Sequence, residues 1–458
     1  MDVSRGRYRG GRPHAGGDGA LAPVPGMRRR SAATPAGTPT VLAAARTAIP
    51  ASDPSARRSA LLIVLGVATV VARMHEFYPP LRVIRPILIV VLLIGMATVA
   101  ARRRLRISAT VFSDPSLLVL YGYWAWMFVT VPTSIYRSNS VKVALDMTLV
   151  MVFATMLALQ PPTLAQVRTI TRGFFTVTAV FGVALLLFGY AMMDVDGLRY
   201  AITASLDPND CAGFLAIGAP MALAEARRKG KASWRAFSWT CFIVICLAVL
   251  RTASRGGLIA LVVGVMMVLL STRGPRMMVT FAGLALLMGV GRFVIPEGML
   301  PKRLTAMTDL SDDYNFTLYG GRIQVWTRGV KYFTEDPVLG VGVGNFSIRE
   351  GQQMAEDGVR GHWSAPHNAY IQSFSELGLA GGLLFCSAIG VSLWRVFPIF
   401  RRVSPITGTS HPEYLAAVLA FSASAIFLSH AYFWGFFALV GLCSLAAQVL
   451  VPQRTASR

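Results

Sequence analysis

The chain has 458 residues, of which 54% are hydrophobic and 14% charged, and its mean hydropathy is +0.54. This composition excludes a soluble globular domain and predicts an integral membrane protein. The net charge of +22 does not indicate nucleic-acid binding, because the basic residues lie in short segments between apolar runs, as they do in cytoplasmic loops of membrane proteins.

Residues 1–58 differ in composition from the rest of the chain. They are rich in Gly, Pro, Ala and Arg, contain ten Arg against three Asp, and carry almost no large apolar residues. Such a segment cannot bury enough apolar surface to offset its ordering entropy, so we expect a disordered basic cytoplasmic tail. The first apolar run begins only near Ala60, and a cleaved signal peptide is therefore not indicated.

Apolar runs long enough to cross a bilayer predict an all-α polytopic protein with about twelve transmembrane helices. The first nine fall within 59–295, a hydrophilic loop follows at 296–367, and the last three fall within 368–458 before a short cytoplasmic tail. The runs lie near 59–77, 83–100, 115–133, 141–159, 171–192, 208–226, 233–250, 256–271, 277–295, 368–394, 413–430 and 432–451.

The basic clusters predict the orientation of these helices. With the N-terminus inside, the arginines and lysines at 102–106, 227–235, 273–276 and 395–402 all fall on one side, as the positive-inside rule requires. The protein is then expected in the cytoplasmic (inner) membrane, with both termini cytoplasmic and one large periplasmic loop. A loop as long as 296–367 is more often functional than incidental.

Arg251 and Arg255 lie where this topology leaves no need for positive charge, at the outer junction of two apolar runs. If the helix continues through them, they share one face because they are four residues apart. Gly256 and Gly257 let a ligand approach closely, and the planar guanidinium fork is suited to phosphate. The two residues predict an anion clamp; the alternative is that both arginines extend to lipid phosphates.

The long loop contains a second arginine of interest. Arg322 begins a segment with apolar residues at helical spacing, which predicts a short amphipathic helix on the membrane surface, with Trp326 and Phe333 facing the lipid interface. An ordinary solvated arginine is the alternative. The glycine-rich string from Asp336 to Asn345 superficially resembles a dinucleotide-binding sequence, but it does not lie in a βαβ unit, so a tight turn is predicted.

His367 closes the loop at the start of the tenth predicted helix. Its ordinary pKa is close to ambient pH, so a histidine held at the outer boundary can accept a proton from an incoming hydroxyl; a structural role is the alternative. The histidines have no metal-ligand spacing, and the five cysteines lie in predicted spans without paired spacing. Neither a metal site, a cofactor nor a disulfide framework is predicted.

Several motifs in order resemble the O-antigen ligase and O-antigen polymerase superfamily. The resemblance extends over roughly residues 115–450 and includes the layout of the predicted helices and of the long loop. The motifs are Leu206-Asp207-Pro208-Asn209-Asp210, Ser254-Arg255-Gly256, Gly321-Arg322 with Trp326, the turn from Asp336-Pro337 to Gly342, His367-Asn368-Ala369-Tyr370, and Glu376-Leu377-Gly378.

The resemblance implies a fold of the glycosyltransferase-C type and a metal-independent enzyme. Such an enzyme takes a polyprenyl diphosphate-linked glycan as donor and needs no nucleotide. It further implies that Arg255 and Arg322 hold the donor diphosphate and that His367 activates the acceptor hydroxyl. Arg251, Asp207, Asn209 and Tyr370 are additional candidates for substrate binding.

The leading prediction is transfer or polymerisation of an O-antigen or exopolysaccharide glycan, with a glycan or a lipid A core as acceptor and membrane lipids as surroundings. An exporter or flippase of lipid-linked glycans is the alternative. An exporter is expected to carry polar groups through several spans, whereas the predicted spans contain few ionisable residues besides Asp146. The motifs do not separate a ligase from a polymerase, because both use the same donor chemistry.

Overall fold

The computed structural model describes residues 53–105, 110–194, 197–202, 206–271, 319–359, 363–401, 403–404 and 406–451. All of them belong to one compact unit, and their regular structure consists of helices and one two-stranded hairpin. The helices are α1 (Pro54–Gly66, continued by a π turn over Val67–Val71), α2 (Pro86–Leu105), α3 (Pro115–Thr130), α4 (Arg137–Ala158), α5 (Leu164–Phe188), α6 (Pro208–Arg227), α7 (Ala232–Thr252), α8 (Arg255–Leu270), α9 (Arg322–Glu335), α10 (Phe346–Glu356), α11 (Ala369–Arg401), α12 (Pro412–Ala425) and α13 (Trp434–Leu450). Short 3-10 turns lie at Met74–Phe77, Pro79–Ile84 and Thr110–Ser113, and the hairpin consists of β1 (Tyr190–Asp194) and β2 (Gly197–Ala201).

The described part of the chain is an almost entirely helical membrane protein. Within it, six segments are long and apolar enough to cross a membrane, namely Pro54–Val71, α2, α4, α5, α7 and α11. Helices α8 and α13 are shorter and apolar. The described helices coincide with eleven of the predicted runs; the run at 277–295 and the loop residues 296–318 lie outside the described residues, as does the tail at 1–52.

Asp–Pro pairs begin three of these helices. Asp53, Asp114 and Asp207 each accept a hydrogen bond from a backbone N–H of the first turn, and proline occupies the first helical position after each. The aspartate satisfies an N–H that has no partner within the helix, and proline has no N–H to satisfy. Because of the first of these caps, α1 begins at Pro54 rather than at the predicted residue 59.

Helix α6 lies at the centre of the bundle and packs against α5, α7, α8 and α12. Small residues permit this close packing. A side chain at Gly218 would collide with Thr178 of α5, and one at Gly257 of α8 would come within 2.3 Å of the Ala212 side chain. At about 1.5 Å per residue, the twenty residues of α6 span roughly 30 Å, so its two ends mark the two ends of the bundle.

The end of the bundle where α6 finishes is called the opposite end, because it lies away from the start of α6. It is defined by Arg172, Glu225, Arg228, His411 and Glu413. Arg228 contacts both carboxylates, at 2.7 Å from Glu225 and closely with Glu413. Arg172 also binds Glu225, and His411 lies 3.0 Å from Glu413. Buried carboxylates are stable when each has such partners, so this network joins the ends of α5, α6 and α12.

The predicted spans contain more carboxyl groups than Asp146 alone, and the sequence-based expectation understated them. Glu225 and Glu376 both lie within predicted spans, and they are 5% and 1% exposed. Glu376 accepts hydrogen bonds from the backbone N–H groups of Gly344 and Phe346 and from the hydroxyl of Tyr432. These bonds fix Glu376 within the protein, in α11.

The glycine-rich string between α9 and α10 is a tight turn, as predicted. Gly340, Gly342 and Gly344 have positive φ values of 67°, 94° and 78°. The turn is held against a kink in α11 at Gly378, whose φ is also positive at 65°. A side chain at Gly378 would come within 2.2 Å of the carbonyl oxygen of Val338, so the contact requires glycine.

The two helices of the long loop pack on each other. Arg328 of α9 forms a buried ion pair with Glu350 of α10, and the Tyr332 hydroxyl donates to the same carboxylate at 2.8 Å. The expected helix from Arg322 is present, but the prediction that its aromatic residues face lipid was wrong. The Trp326 indole donates to the carbonyl of Pro366, and Phe333 packs edge-on against Phe374 of α11.

Candidate functional site

Four segments distant in sequence meet at the end of the bundle where α6 begins. They are the segment around the start of α6 (residues 199–202 and 206–210), the α7–α8 junction at 251–255, the segment 366–368 before α11, and residues 429–430 between α12 and α13. Together they define the site end. Hydrogen bonds join the first to the second, the third to the fourth and the fourth to the first. The convergence follows from antiparallel packing, which brings alternate helix ends together.

The α7–α8 junction carries Arg251 and Arg255 on different helices. Helix α7 ends at Thr252, Ala253 adopts a left-handed conformation with φ of 51°, and Arg255 is the first residue of α8. The helix does not continue through both residues. The two arginines therefore do not share one helix face, as the predicted clamp assumed. The helix breaks because the Ser254 hydroxyl caps α8 by accepting the N–H of Gly257 at 3.1 Å.

Arg251 packs against the hairpin that precedes α6. Its guanidinium carbon lies 3.8 Å from the ring centroid of Tyr200, and a cation over an aromatic face is held electrostatically. This contact orients Arg251 at the site end.

Asn209 connects the hairpin to the arginine junction. Its side-chain oxygen accepts from the Ser254 hydroxyl at 2.8 Å and from the guanidinium of Arg199. Asn209 is 4% exposed, so both bonds are protected from water. Asn209 holds Ser254, and Ser254 caps α8. Asn209 therefore also fixes the position of Arg255, the residue after Ser254.

Asp207 and Asp210 form a capping box at the start of α6. Asp207 accepts the N–H of Asp210 at 2.8 Å, and Asp210 accepts the N–H of Asp207 at 3.3 Å. Burial, and then the negative charge of Asp210, raise the pKa of Asp207 above its usual value, whereas the charges of Arg199 and His367 act in the other direction. His367 thus lies within electrostatic range of Asp207.

His367 is held by its backbone in an uncommon conformation. Its φ is 48°, which is rare for a residue with a side chain, and its N–H donates to the Ser429 hydroxyl at 2.9 Å. The preceding carbonyl, of Pro366, accepts from the Trp326 indole at 2.9 Å. Strained conformations of this kind cluster at functional sites, and here they fix where the imidazole emerges.

Arg322 lies one helical turn before Trp326 on α9. Residues four apart lie on the same helix face, so Arg322 emerges on the face that contacts Pro366 through Trp326. Helix α9 also packs along α11, which begins next to His367. Arg322 therefore shares a helix face with Trp326, whose indole binds the residue before His367; a contact of Arg322 with substrate stays a prediction.

Tyr370 points into the bundle. Its hydroxyl donates to the carbonyl of Ser422 in α12 at 3.2 Å, and its ring packs edge-on against Phe385. The neighbouring Asn368 caps α11 by accepting the N–H groups of Tyr370 and Ile371. These contacts give Tyr370 a role in holding α11 against α12; a contact with substrate stays a prediction.

The structure adds three residues to the predicted set of site residues: Arg199, His430 and Asp210, of which Asp210 belongs to the Leu206–Asp210 motif but was assigned no role. His430 is 1% exposed, and its Nε2 lies 3.1 Å from Asp210. The predicted topology provided a signal for His430, because it placed the α12–α13 connection on the same side as His367. Arg199 had no such signal, since only the hairpin pairing brings it next to Asn209.

The arrangement combines cations with a titratable base in a partly buried setting. Guanidiniums stabilise developing negative charge strongly where water is excluded, and an imidazole takes up a proton from a hydroxyl near neutral pH. Among the residues that the structure describes, no group of three or more His, Cys, Asp or Glu side chains is placed to hold a metal ion. The site is therefore suited to group transfer from an anionic leaving group.

Comparison with known proteins supports this interpretation. A family model described as O-Antigen ligase matches residues 240–386, a segment that contains Arg251, Arg255, Arg322 and His367, but not Asp207 or Asn209. No curated protein matches the chain. Residues 240–386 are thus similar to the O-antigen ligase family, and this match supports the resemblance to the O-antigen ligase and polymerase superfamily that the sequence motifs indicate.

Proposed function

We propose that this protein transfers a glycan from a polyprenyl diphosphate carrier to an acceptor hydroxyl at the outer face of the cytoplasmic membrane. The family match supports glycan transfer of the O-antigen ligase or polymerase type. The observation that carries the finer proposal is that the arginine junction at 251–255 and the His367 segment both lie at the site end, where hydrogen bonds connect Ser254 to Asn209, Asp210 to His430, and His367 to Ser429.

Arg255, Arg251 and Arg322 bind the diphosphate of the donor. A guanidinium donates two parallel hydrogen bonds to phosphate oxygens and keeps its charge at every physiological pH. Asn209 contributes by fixing Ser254, which precedes Arg255. As the bond between the sugar C1 and the diphosphate oxygen breaks, negative charge grows on the leaving group, and these cations stabilise it.

His367 acts as the general base on the acceptor. It takes the hydroxyl proton while the acceptor oxygen bonds to C1, and the polyprenyl diphosphate leaves with the electron pair of the broken bond. Attack opposite the leaving group inverts the configuration at C1. The negative charge of Asp207 interacts favourably with a protonated His367, and Tyr370 supports the start of the helix that follows His367.

The reaction in this proposal needs neither metal nor nucleotide, since the arginines supply the positive charge. The acceptor is a glycan, in a polymerase, or a lipid A core, in a ligase. We further propose that the complete bundle has about twelve membrane-spanning helices of the glycosyltransferase-C type, with one large periplasmic loop and both termini in the cytoplasm.

The surface glycans of a deletion strain test this function. Complementation with the wild type restores the full glycan profile, and complementation with His367→Ala does not. Short lipid-linked units that never lengthen in the variant identify a polymerase, whereas long chains that accumulate on the polyprenyl carrier identify a ligase. A normal profile with His367→Ala overturns the catalytic assignment and returns attention to export of lipid-linked glycans.

A further inference from the structure

Two hydrogen bonds hold the peptide unit that joins Pro366 to His367. Its N–H, from His367, donates to the Ser429 hydroxyl at 2.9 Å, and its carbonyl, from Pro366, accepts from the Trp326 indole at 2.9 Å. Because a peptide unit is planar, the two bonds together fix its orientation. The φ of 48° at His367 is a strained value that persists only where neighbouring groups enforce it. The position of the imidazole therefore depends on what holds Ser429 and Trp326.

The connection between α12 and α13, which carries Ser429, is anchored on α11. The Tyr432 hydroxyl donates to the Glu376 carboxylate at 2.6 Å, and the backbone N–H of Ala431 donates to the Gln372 side chain at 3.4 Å. Ser429 belongs to the same short connection. The anchor at Tyr432 therefore also fixes the hydroxyl that accepts the histidine N–H.

Helix α9, which carries Trp326, is anchored on the same carboxylate through the turn that follows it. Glu376 accepts the backbone N–H groups of Gly344 at 2.7 Å and of Phe346 at 3.0 Å. Phe346 is the first residue of α10, and an acceptor at this position satisfies N–H groups that have no partner within the helix. The Phe346 ring packs edge-on against Tyr332 of α9, so Glu376 holds both loop helices against the bundle.

Glu376 is thus the common anchor of both contacts to the His367 segment. Three donors converge on its two oxygens, and the residue is 1% exposed, so water does not replace a lost partner. One path leads through Tyr432 to the N–H of the clamped peptide unit, and the other leads through the loop helices to its carbonyl.

We infer that Glu376 is a positioning residue for His367. By anchoring Tyr432 and the glycine-rich turn at once, it sets the two hydrogen bonds that clamp the 366–367 peptide unit, and with them the place where the imidazole emerges. The effect on glycan transfer rests on the proposed function; the clamping of the peptide unit does not.

Tyr432→Phe is the sharpest variant for this inference. Glu376→Ala removes the acceptor of three buried donors and destabilises the fold itself, whereas Tyr432→Phe removes one hydroxyl and keeps the ring that stacks on Tyr123. Tyr414→Phe is the matched control. Tyr414 is 1% exposed, and its hydroxyl lies 3.0 Å from that of Thr171, away from the site end, so each variant loses the same atom and one side-chain hydrogen bond.

Hydrogen exchange of the full-length protein in nanodiscs measures the clamp without any substrate. The amide of His367 exchanges about fivefold faster in Tyr432→Phe than in the wild type, because its bond to Ser429 opens more often. The same amide exchanges at the wild-type rate in Tyr414→Phe. Equal exchange in Tyr432→Phe and the wild type overturns the positioning role, whether or not the protein transfers glycan.

Kinetics with a polyprenyl diphosphate-linked glycan tests the consequence for transfer. Tyr432→Phe lowers kcat about tenfold, because it misplaces the base, and leaves the KM for the donor unchanged. In a Ser429→Ala background the same substitution causes little further loss, since both changes act through one hydrogen bond.

The two measurements separate failure of the anchor from failure of the proposed function. A wild-type kcat in Tyr432→Phe, or losses of kcat that multiply fully in the double variant with Ser429→Ala, overturns the role of the anchor in transfer. Faster exchange of the His367 amide in Tyr432→Phe, with no transfer by the wild type, instead overturns the proposed function and leaves the clamp in place.

Discussion

The two ends of the bundle use charged residues differently. At the opposite end, the guanidinium of Arg228 is held by the carboxylates of Glu225 and Glu413, and these charges join neighbouring helices. At the site end, the guanidinium of Arg199 donates to the neutral amide oxygen of Asn209. The ion pairs connect charged groups on neighbouring helices, whereas the Asn209 oxygen connects Arg199 to Ser254, the residue that caps α8.

Each end also pairs a histidine with a carboxylate, and at the site end this pair is His430 and Asp210, 3.1 Å apart. His411 at the opposite end lies 3.0 Å from Glu413, within the ion-pair network. At the site end, Arg251 lies over the face of Tyr200, and the backbone of His367 is held at a positive φ by Ser429. The contacts at the opposite end join helix ends, whereas those at the site end position the segments that carry Arg251 and His367. Substitutions at the two ends are therefore expected to affect different properties.

A large loss of turnover is expected at Arg255. Arg255→Ala removes a cation that stabilises the leaving diphosphate, and loss of one such donor lowers turnover about 10²- to 10³-fold. Arg255→Lys keeps the charge but loses the bidentate fork, so turnover also falls, by at least about tenfold. Donor consumption by purified protein in nanodiscs measures both variants.

Arg401→Ala serves as the control for Arg255. Arg401 ends α11 at the far side of the bundle, with its guanidinium 5.8 Å from the Phe397 ring centroid, and this variant keeps wild-type turnover. Wild-type turnover in both Arg255 variants would remove the arginine junction from the mechanism.

At the opposite end, the expected effect is on stability. Arg228→Met leaves the buried carboxylates of Glu225 and Glu413 without their shared cation, and breaking a buried ion pair costs about 3–5 kcal/mol. Chemical unfolding in detergent measures the loss, and turnover per folded molecule stays close to that of the wild type. A variant that is as stable as the wild type, or that is stable but inactive, contradicts the structural role of this network.

A smaller effect on turnover is expected at Asn209. Asn209→Ala removes the oxygen that accepts from Ser254 and Arg199, and misplacement of Arg255 lowers kcat about tenfold, which is less than loss of the guanidinium itself. Asn209→Asp keeps an accepting oxygen at the same position and retains most of the activity. Equal losses in the two variants would show that the hydrogen bonds are not what matters.

The smallest effect concerns the pH dependence of stability at Asp207. The pKa of this carboxyl is raised above 3.8, first by burial, so its ionisation opposes folding. The stability that protonated Asp207 contributes is full below 3.8 and is lost as pH rises through the raised pKa. Asp207→Asn keeps the helix cap, and its stability does not fall with the ionisation of residue 207 because asparagine does not ionise.

Thermal unfolding of both proteins between pH 4 and pH 7 measures this difference. The melting temperature of Asp207→Asn increases relative to that of the wild type as pH rises. A difference between the two proteins that does not change with pH, or that changes in the other direction, contradicts the raised pKa.

Local sequence patterns predicted much of the fold. Helix α9 begins at Arg322 as expected, because the apolar residues after Arg322 recur at helical spacing. The glycines at 340, 342 and 344 form the predicted turn. The break at Ala253 was missed because Ser254 competes with the helix by capping the next one. Trp326 was assigned to lipid because its partner, the Pro366 carbonyl, lies 40 residues further along the chain.

Which residues meet at the site depends on long-range contacts that the sequence does not show. Asp210 and His430 are 220 residues apart, and only the packing of α6 against the α12–α13 connection brings them together. Arg199 reaches Asn209 because β2 pairs with β1 before α6 begins. Motifs indicated residues that carry chemistry; the long-range contacts decide which of their neighbours position them.

The most direct test of the account is glycan transfer by the purified protein and its His367→Ala variant, from a polyprenyl diphosphate-linked donor and in the presence of a chelator. We predict that the chelator leaves the wild type active, and that the variant loses turnover by about 10²- to 10⁴-fold while its unfolding temperature stays close to that of the wild type. Transfer by His367→Ala at the wild-type rate would contradict the assignment of the site end as the catalytic end.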